Sequence, residues 1–297
     1  MNQNNHDAWL CNLRLTLPNH LIRRYLGIIV FPSGKRFHLC APREMPFSSK
    51  TISILPLGAT EQHGPHLPPE TDWIIAEAFA RKAIETAPEY LHVHLLPVEK
   101  TGYSIEHEDT AGTRTLTFDE AVRRWIGIGE SQYKAGIHKF VLLNAHGGNS
   151  PLMTIVATEL RARFPMLAVA TSWTRFGYPA DLVSEEERAL GIHGGFIETS
   201  VMLALRPDLV RMDKARDFAS EQARFRRDFT HLRAYGPHAF GWMMRDLSPD
   251  GVTGNAAAAS AQAGHRILDN AVRGFVELLE DVDRFDLSHF ESRRVQS

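Results

Sequence analysis

From Thr51 onward, short apolar runs alternate with longer amphipathic stretches, and this alternation constrains the fold more than any other feature of the chain. Such alternation is typical of βαβ units, in which helices join parallel strands. The sequence therefore predicts an α/β fold with a mostly parallel sheet, formed by one doubly wound domain with insertions. The predicted strands run from Ile52 to Leu57, His92 to Val98, Lys139 to Asn144 and Leu167 to Ser172.

Helices are predicted from their start and stop signals. Thr71 or Asp72 is the predicted cap of the first helix, and Thr117 to Glu120 has the spacing of a capping box. Ser150 and Pro151 place a cap residue before a proline at the first helical position. The predicted helices run from Trp73 to about Thr86, from the Thr117 cap to about Ala135, from Ser150 to about Arg163, from about Phe196 to Leu205 and from about Ala256 to Leu279.

The first part of the chain differs from the rest. Residues 1 to 48 have mixed polarity and no sustained period, so they are predicted to form a peripheral extension of a domain that spans residues 49 to 297. A true start further downstream stays open. The N-terminus has no basic segment followed by an apolar stretch, so no signal peptide is expected. No segment approaches the roughly 18 apolar residues of a membrane-spanning helix.

Composition narrows the classes of partner. The chain has 33 Lys and Arg against 35 Asp and Glu, a net charge of -2, so no global basic field exists to bind nucleic acid or anionic lipid. Cys11 and Cys40 do not form a CxxC pair, so a disulfide framework or a thiolate metal site is not expected. These features favour a soluble cytoplasmic protein that binds neither nucleic acid nor membrane.

Polar clusters follow three of the predicted strands. Glu61-Gln62-His63 follows the first strand, the stretch from Tyr103 to Thr113 follows the second, and Asn144 to Asn149 follows the third. In a parallel α/β sheet, the loops at the carboxyl ends of the strands form the functional edge. We therefore expect these clusters to contribute to one site.

The first cluster contains potential metal ligands. In an extended segment, Glu61 and His63 point the same way because side chains alternate with period two. Asp72, at the entrance to a helix, adds a carboxylate near the same point. Oxygen and nitrogen donors without thiolate suit zinc, manganese or a similar divalent ion. A pair of surface-loop residues without metal is the alternative.

Two further clusters place histidine beside paired glycines. His146 precedes Gly147 and Gly148, and His193 precedes a second pair, with Glu198 in the first turn of the next helix. Glycines permit positive φ or a close approach of the backbone to a ligand. Ordinary glycine-rich turns, with Glu198 placed favourably by the helix dipole, are the alternative. Three such clusters in one chain favour a metal site.

Three motifs carry a family resemblance. The segments EQHGPHLPPETD, NAHGGN and HGGFIETS resemble those of the creatininase family of metal-dependent amidohydrolases, and they occur in the family's order. The resemblance covers roughly Ile52 to Leu279. It implies a three-layer α/β/α domain and a homo-oligomer, often a hexamer. It also implies a centre of two divalent metal ions at the carboxyl edge of the sheet, with zinc, manganese or iron as candidates.

The resemblance also implies roles for single residues. In creatinine-hydrolysing members the second motif resembles NGHYEN, whose glutamate is a metal ligand, whereas this chain has Gly148 there. Glu198 is the candidate for the missing donor. His193 matches the histidine that shuttles protons. The implied metal ligands are Glu61, His63, Asp72 as the bridging carboxylate, His146 and Glu198.

Other residues have weaker assignments. Trp173 matches an active-site tryptophan, with a core or interface position as the alternative. His107, in the polar run Glu106 to Asp109, is a candidate substrate contact, and a solvated loop is the alternative. His66 fits a role in fixing the loop better than a metal ligand.

The implied reaction is hydrolysis of a small, cyclic amide. Three ligand carboxylates against two divalent ions leave one positive charge, which a bridging hydroxide would neutralise. Two metal ions about 3.5 to 4 Å apart lower the pKa of a shared water towards roughly 7. That hydroxide would attack the amide carbonyl, and His193 would protonate the leaving nitrogen. Creatinine or a related compound is the first candidate. A formamidopyrimidine, a short peptide, a sugar lactone or a non-catalytic metal-binding role are alternatives.

Overall fold

The computed structural model of the protein describes residues 50–290 and two earlier strands, β1 (Ile28–Val30) and β2 (Arg36–His38), which pair antiparallel. The chain divides into two compact units, residues 1–46 and residues 47–297. The predicted border after residue 48 stays a prediction. Cys11 and Cys40, which are not expected to form a disulfide framework or a thiolate metal site, lie outside the described residues.

Four parallel strands form the central sheet, in the order β4-β3-β5-β6. They are β3 (Ile52–Leu57), β4 (Val93–Leu95), β5 (Lys139–Asn144) and β6 (Leu167–Ser172). Three of them match the predicted bounds, but the prediction of His92 to Val98 for β4 was too long. Pro97 has no N–H to donate to the ladder, so regular pairing stops before it.

The other elements are mostly helices. Two short strands, β7 (Asp217–Phe218) and β8 (Gly254–Asn255), pair antiparallel. The helices are α1 (Thr71–Thr86), α2 (Phe118–Lys134), α3 (Ser150–Arg163), α4 (Glu185–Leu190), α5 (Phe196–Leu205), α6 (Gln222–Asp228), α7 (Met244–Leu247) and α8 (Ala261–Arg284). Among the described residues, no helix has both the length and the apolar character that crossing a bilayer requires.

The helix starts in the structure confirm one predicted cap and correct two others. The capping box of Thr117 and Glu120 is present at α2, as predicted. The predicted cap at Thr71 or Asp72 was wrong, because α1 already begins at Thr71 and no side chain caps it. The Asp72 carboxylate lies beside His63 instead. The predicted start near Ala256 was also wrong, because Ser260 accepts the N–H of Ala263 and caps α8.

The sheet lies between two helical layers. Helices α1, α5 and α8 enclose the larger core on one face, and α2 and α3 enclose a second core on the other. Strands β3 and β5 are buried along their whole length, as parallel strands covered on both faces are. This is the predicted three-layer α/β/α arrangement. Leu57 pairs with Asn144, and Asn144 pairs with Ser172, so three strands end at the same level.

Candidate metal centre

The loops at this edge bring together the predicted site residues. Glu61 and His63 lie in the loop after β3, and Asp72 lies in the first turn of α1. His146 follows β5, and Glu198 lies in the first turn of α5. Glu61, His63, Asp72 and His146 are each at most 4% exposed. Side chains far apart in the sequence therefore converge in a nearly solvent-free cluster.

Asp72 lies between two sets of donor atoms. Its Oδ1 is 3.2 Å from His63 Nε2, which is 3.8 Å from Glu198 Oε2. Its Oδ2 is 3.2 Å from His146 Nδ1, which is 3.1 Å from Glu61 Oε1. We call Glu61, Asp72 and His146 the Glu61 set, and His63, Asp72 and Glu198 the His63 set. One carboxylate that faces two sets is suited to bridge two metal ions.

Backbone carbonyls determine which nitrogen of each imidazole faces the cluster. His63 Nδ1 lies 3.0 Å from the Glu61 carbonyl oxygen, and His146 Nε2 lies 2.8 Å from the Tyr103 carbonyl oxygen. A carbonyl only accepts, so these two nitrogens carry the protons. The other nitrogens, His63 Nε2 and His146 Nδ1, then face the two donor sets, and in the neutral imidazoles they offer the lone pairs that metal-bound histidines use.

The cluster also contains buried polar atoms that lack a hydrogen-bond partner. Within the described part of the chain, Glu61 Oε2, His63 Nε2 and Asp72 Oδ2 are buried and make no hydrogen bond. Buried polar atoms are costly unless they are paired, and buried carboxylates more so. Divalent cations would satisfy these atoms, and carboxylate and imidazole donors suit zinc or manganese. The residues present therefore fit a metal centre.

The pKa values of the cluster reflect burial and mutual charge. Burial raises the pKa of Glu198 to about 7. Burial opposes the charged form of His63, but Asp72, Glu198 and Glu61 outweigh it and raise the pKa of that imidazole to about 10. Burial also opposes the charged form of Glu61, yet neighbouring histidines, above all His146, hold its pKa well below the ordinary value.

Metal binding at neutral pH is therefore expected to release at least one proton. In the metal-free protein His63, with a pKa of about 10, holds a proton on the nitrogen that a metal ion needs. Since the metal displaces this proton, affinity rises as the pH rises towards that value. Titration calorimetry in two buffers with different ionisation enthalpies measures the release. Identical apparent enthalpies in both buffers would contradict this expectation.

His193 lies beside the cluster with one nitrogen anchored. Its Nε2 donates to the Gln62 carbonyl oxygen at 2.8 Å, and its Nδ1 is 3.6 Å from Glu61 Oε1. Its ring lies against those of His63 and His107, with centroids 4.2 and 4.4 Å apart. Burial, together with these two neighbours, holds the pKa of His193 well below its ordinary value. His193 is therefore neutral near pH 7 and directs a lone pair towards the cluster.

The two predicted substrate contacts have different surroundings. His107 is 2% exposed, its Nε2 is 3.8 Å from Glu61 Oε1, and its Nδ1 makes no hydrogen bond. Trp173 is also 2% exposed, but it lies in the larger hydrophobic core beneath the sheet edge. His107 thus faces the cluster, and the role of Trp173 in binding substrate stays a prediction.

Other residues hold the loops together. Asn149 accepts the N–H of Tyr103 at 2.9 Å and donates to the Gly58 carbonyl at 3.1 Å, which links all three strand-end loops. His66 Nε2 lies 3.1 Å from the Gly194 carbonyl oxygen, in the loop-fixing position expected of it. No residue type marks the Tyr103 carbonyl in the sequence, because any residue could supply it.

Glu106 belongs to the polar run predicted near the site, but it was not itself predicted as a site residue. Its Oε1 is 3.7 Å from His146 Nε2, and burial raises the pKa of its carboxyl group. Glu108 and Asp109 in the same polar run are exposed, so only the first half of the run faces inward. The first half lies in a short 3₁₀ turn, Ile105–His107, which the sequence pattern did not predict.

Gly148 is needed for the position of His146. A Cβ at Gly148 would lie 2.4 Å from the Tyr103 carbonyl oxygen, 2.5 Å from His146 Nε2 and 2.7 Å from Glu106 Oε1. The space beside His146 is thus occupied, and a glutamate at this position has no room. A Cβ at the neighbouring Gly147 would meet nothing within 4 Å.

We therefore expect Gly148→Ala to weaken metal binding by about 10- to 100-fold, the usual effect of disturbing the groups that orient a ligand. Gly147→Ala is the matched control and should bind metal like the wild type. The metal content of both variants is measured after dialysis against increasing concentrations of a chelator. Equal retention by the two variants would refute the steric role of Gly148.

Comparisons with known proteins agree with this geometry. Residues 42–279 match the family model for creatininase, described as creatinine amidohydrolase. The chain belongs to the creatininase family. As a member of this family it is an amidohydrolase, a hydrolase of carbon–nitrogen bonds. The expected family and fold are thereby confirmed.

Proteins similar to this chain differ in their named activities. The mycofactocin precursor peptide peptidase of Mycobacterium tuberculosis is 32% identical over 77% of this chain and 86% of its own length. The creatinine amidohydrolase of Pseudomonas putida is 27% identical over 77% of this chain and 89% of its own. A structure described as a putative creatinine amidohydrolase, from Bacteroides fragilis, matches with a TM-score of 0.68 and 25% identity, covering 80% of this chain and 91% of that one.

Proposed function

We propose that the protein is a metal-dependent amidohydrolase that uses two divalent ions to cleave a carbon–nitrogen bond in a small amide, cyclic or peptide-derived. The observation that carries this proposal is the position of Asp72, whose two oxygens face separate donor sets beside the anchored ring of His193. A single structural metal ion would need only one such set.

The Glu61 set would hold one ion and the His63 set the other, with Asp72 common to both. When bound, the ions supply Lewis-acid polarisation of a carbonyl group and lower the pKa of a water molecule. Zinc and manganese are the proposed metals, and the same donors accept iron. Solved creatininases described as a manganese form and, for a mutant, as a zinc–zinc form support this choice.

His193 is the proposed proton carrier. Because its Nε2–H is bonded to the Gln62 carbonyl, only Nδ1 is available to take a proton at the cluster. A low pKa suits a group that must give this proton to a departing nitrogen. His107, with an unpartnered ring nitrogen beside the same carboxylate, is the proposed polar contact for the substrate.

The substrate is proposed to be a short peptide or a peptide-derived amide ahead of creatinine. The 32% identity to a peptide peptidase exceeds the 27% identity to a creatinine amidohydrolase, which supports this order. Gly148, where creatinine-hydrolysing members have a glutamate, also favours a different pocket. The proposal includes action on a small molecule in the cytoplasm, without nucleic acid or membrane, by a homo-oligomer as large as a hexamer.

A substrate panel tests the proposal. Protein loaded with manganese or zinc would be incubated with short peptides, creatinine, a formamidopyrimidine and a sugar lactone, and products would be measured by mass spectrometry. We expect metal-dependent hydrolysis of at least one amide in the panel. Stable binding of two ions without any hydrolysis would favour a non-catalytic homologue instead.

A further inference from the structure

A buried carboxylate outside the metal centre connects the start of α5, just after His193, with the end of β8. Glu187, on α4, is 9% exposed. Its Oε1 accepts the N–H of Phe196 at 2.7 Å, and its Oε2 accepts the N–H of Asn255 at 2.9 Å. Phe196 begins α5, and Asn255 ends β8. One side chain therefore holds two backbone segments that are far apart in the sequence.

Three glycines make room for this carboxylate. A Cβ at Gly191, Gly195 or Gly254 would lie 2.1, 2.5 or 2.6 Å from Glu187 Oε1. Any other residue at these positions would push the carboxylate out of its place. The pair Gly194-Gly195 thus has two separate uses, because Gly194 needs its positive φ of 68° whereas Gly195 admits Glu187.

The segments that Glu187 holds carry two residues of the proposed centre. The His193 carbonyl accepts the N–H of Thr253 at 2.8 Å, so the loop before α5 lies against the strand that ends at Asn255. Further along, the Gly194 N–H donates to Glu198 Oε2 at 2.7 Å. The N–H of Phe196, bonded to Glu187, lies between His193 and Glu198 in the chain. A shift at this point would therefore move both side chains.

We propose that Glu187 is a positioning residue that holds His193 and the Glu198 carboxylate at the metal centre, an inference that rests on the proposed function. It touches neither donor set and acts through the backbone of Phe196 and Asn255. Hydrogen bonds from N–H groups to a carboxylate are stronger than neutral ones, and a negative charge is favourable at the N-terminus of α5. Both effects fix the start of this helix relative to β8.

The test substitutes Glu187→Gln and titrates the metal-free protein with Co²⁺, whose visible absorption reports the ligand geometry. Glutamine has nearly the same size but only one accepting oxygen, so its amide group opposes one of the two N–H donors. We expect the affinity of the His63 set for Co²⁺ to fall at least about 10-fold. The affinity of the Glu61 set should stay as in the wild type. On a substrate found in the panel, kcat should fall at least about 10-fold with little change in KM.

Glu120→Gln is the matched control. Glu120 also accepts a backbone N–H at a helix start, from Thr117 at 2.9 Å, but it lies on α2 in the opposite layer. This variant should bind two equivalents of Co²⁺ with the wild-type spectrum. It makes the same substitution at a helix start, where a single oxygen is enough to accept the Thr117 N–H, and it leaves the loop of His193 undisturbed.

Each outcome decides the proposal. The proposal would be overturned if Glu187→Gln bound two equivalents of Co²⁺ with the affinity and spectrum of the wild type. It would also be overturned if the affinity for both equivalents fell equally and the variant melted at a lower temperature, because this would indicate a general loss of stability. If the glutamine variant does not fold, Glu187→Asp is measured in the same way, and failure of both to fold would make Glu187 only a folding determinant. A wild type that binds fewer than two ions would instead contradict the proposed function.

Discussion

Asp72→Ala is expected to lose both metal ions and to lower turnover by about 1,000-fold or more. The two oxygens of this carboxylate face different donor sets, so its removal takes one ligand from each. Metal ions contribute several kcal/mol of transition-state stabilisation, and each 1.36 kcal/mol is tenfold in rate. Elemental mass spectrometry of the purified variant and a rate assay on the panel substrate measure the two effects.

Asp119→Ala is the control for this variant. Asp119 is also the second residue of a helix, α2, but its side chain is 43% exposed and pairs with Arg123. Like Asp72, Asp119 places a negative charge in the first turn of a helix. The Asp119→Ala variant should keep both metal ions and full activity. If Asp72→Ala retained two ions, Asp72 would not be a bridging ligand.

His193→Ala is expected to keep both metal ions and to lower turnover by roughly 100-fold or more, as loss of a general acid or base does. The Glu61 and His63 sets are complete without this ring. Its neutral Nδ1 is the atom proposed to carry the proton. The variant therefore separates metal binding from proton transfer. Its metal content and its turnover are measured by the methods given for Asp72→Ala.

The outcome for His193 distinguishes three roles. His193 also lies within 4.8 Å of donor atoms of His63 and Glu198, so loss of one ion from the variant would make it a ligand. Unchanged turnover would exclude it from the reaction. His265→Ala, which removes an exposed histidine from α8, should change neither quantity.

The sequence was most informative where a local pattern determines the structure. Buried strands β3 and β5 have short, mostly apolar sequences, and their bounds were predicted residue for residue. Glu61 and His63 follow the first of these strands and His146 the second, so the topology of a parallel sheet brings them to one edge. The motif Gly194-Gly195 indicated a special backbone position, which the positive φ of Gly194 confirms.

The sequence was least informative where the partner is distant or belongs to the backbone. The Tyr103 carbonyl that orients His146 leaves no trace in the residue type. Glu187 reads as one acid among three at the start of a short helix, and only the fold brings it to Gly195 and Gly254. Asp72 was predicted both as a possible helix cap and as a metal ligand, because sequence alone does not tell a helix cap from a carboxylate that faces a buried cluster.

Anomalous X-ray scattering from crystals of the manganese- or zinc-loaded protein would locate the metal ions themselves. Two peaks are expected in each chain, one bound by Glu61, Asp72 and His146 and the other by His63, Asp72 and Glu198. A single peak, or peaks held by other side chains with Asp72 in contact with at most one, would contradict the two-metal centre and the hydrolase mechanism built on it.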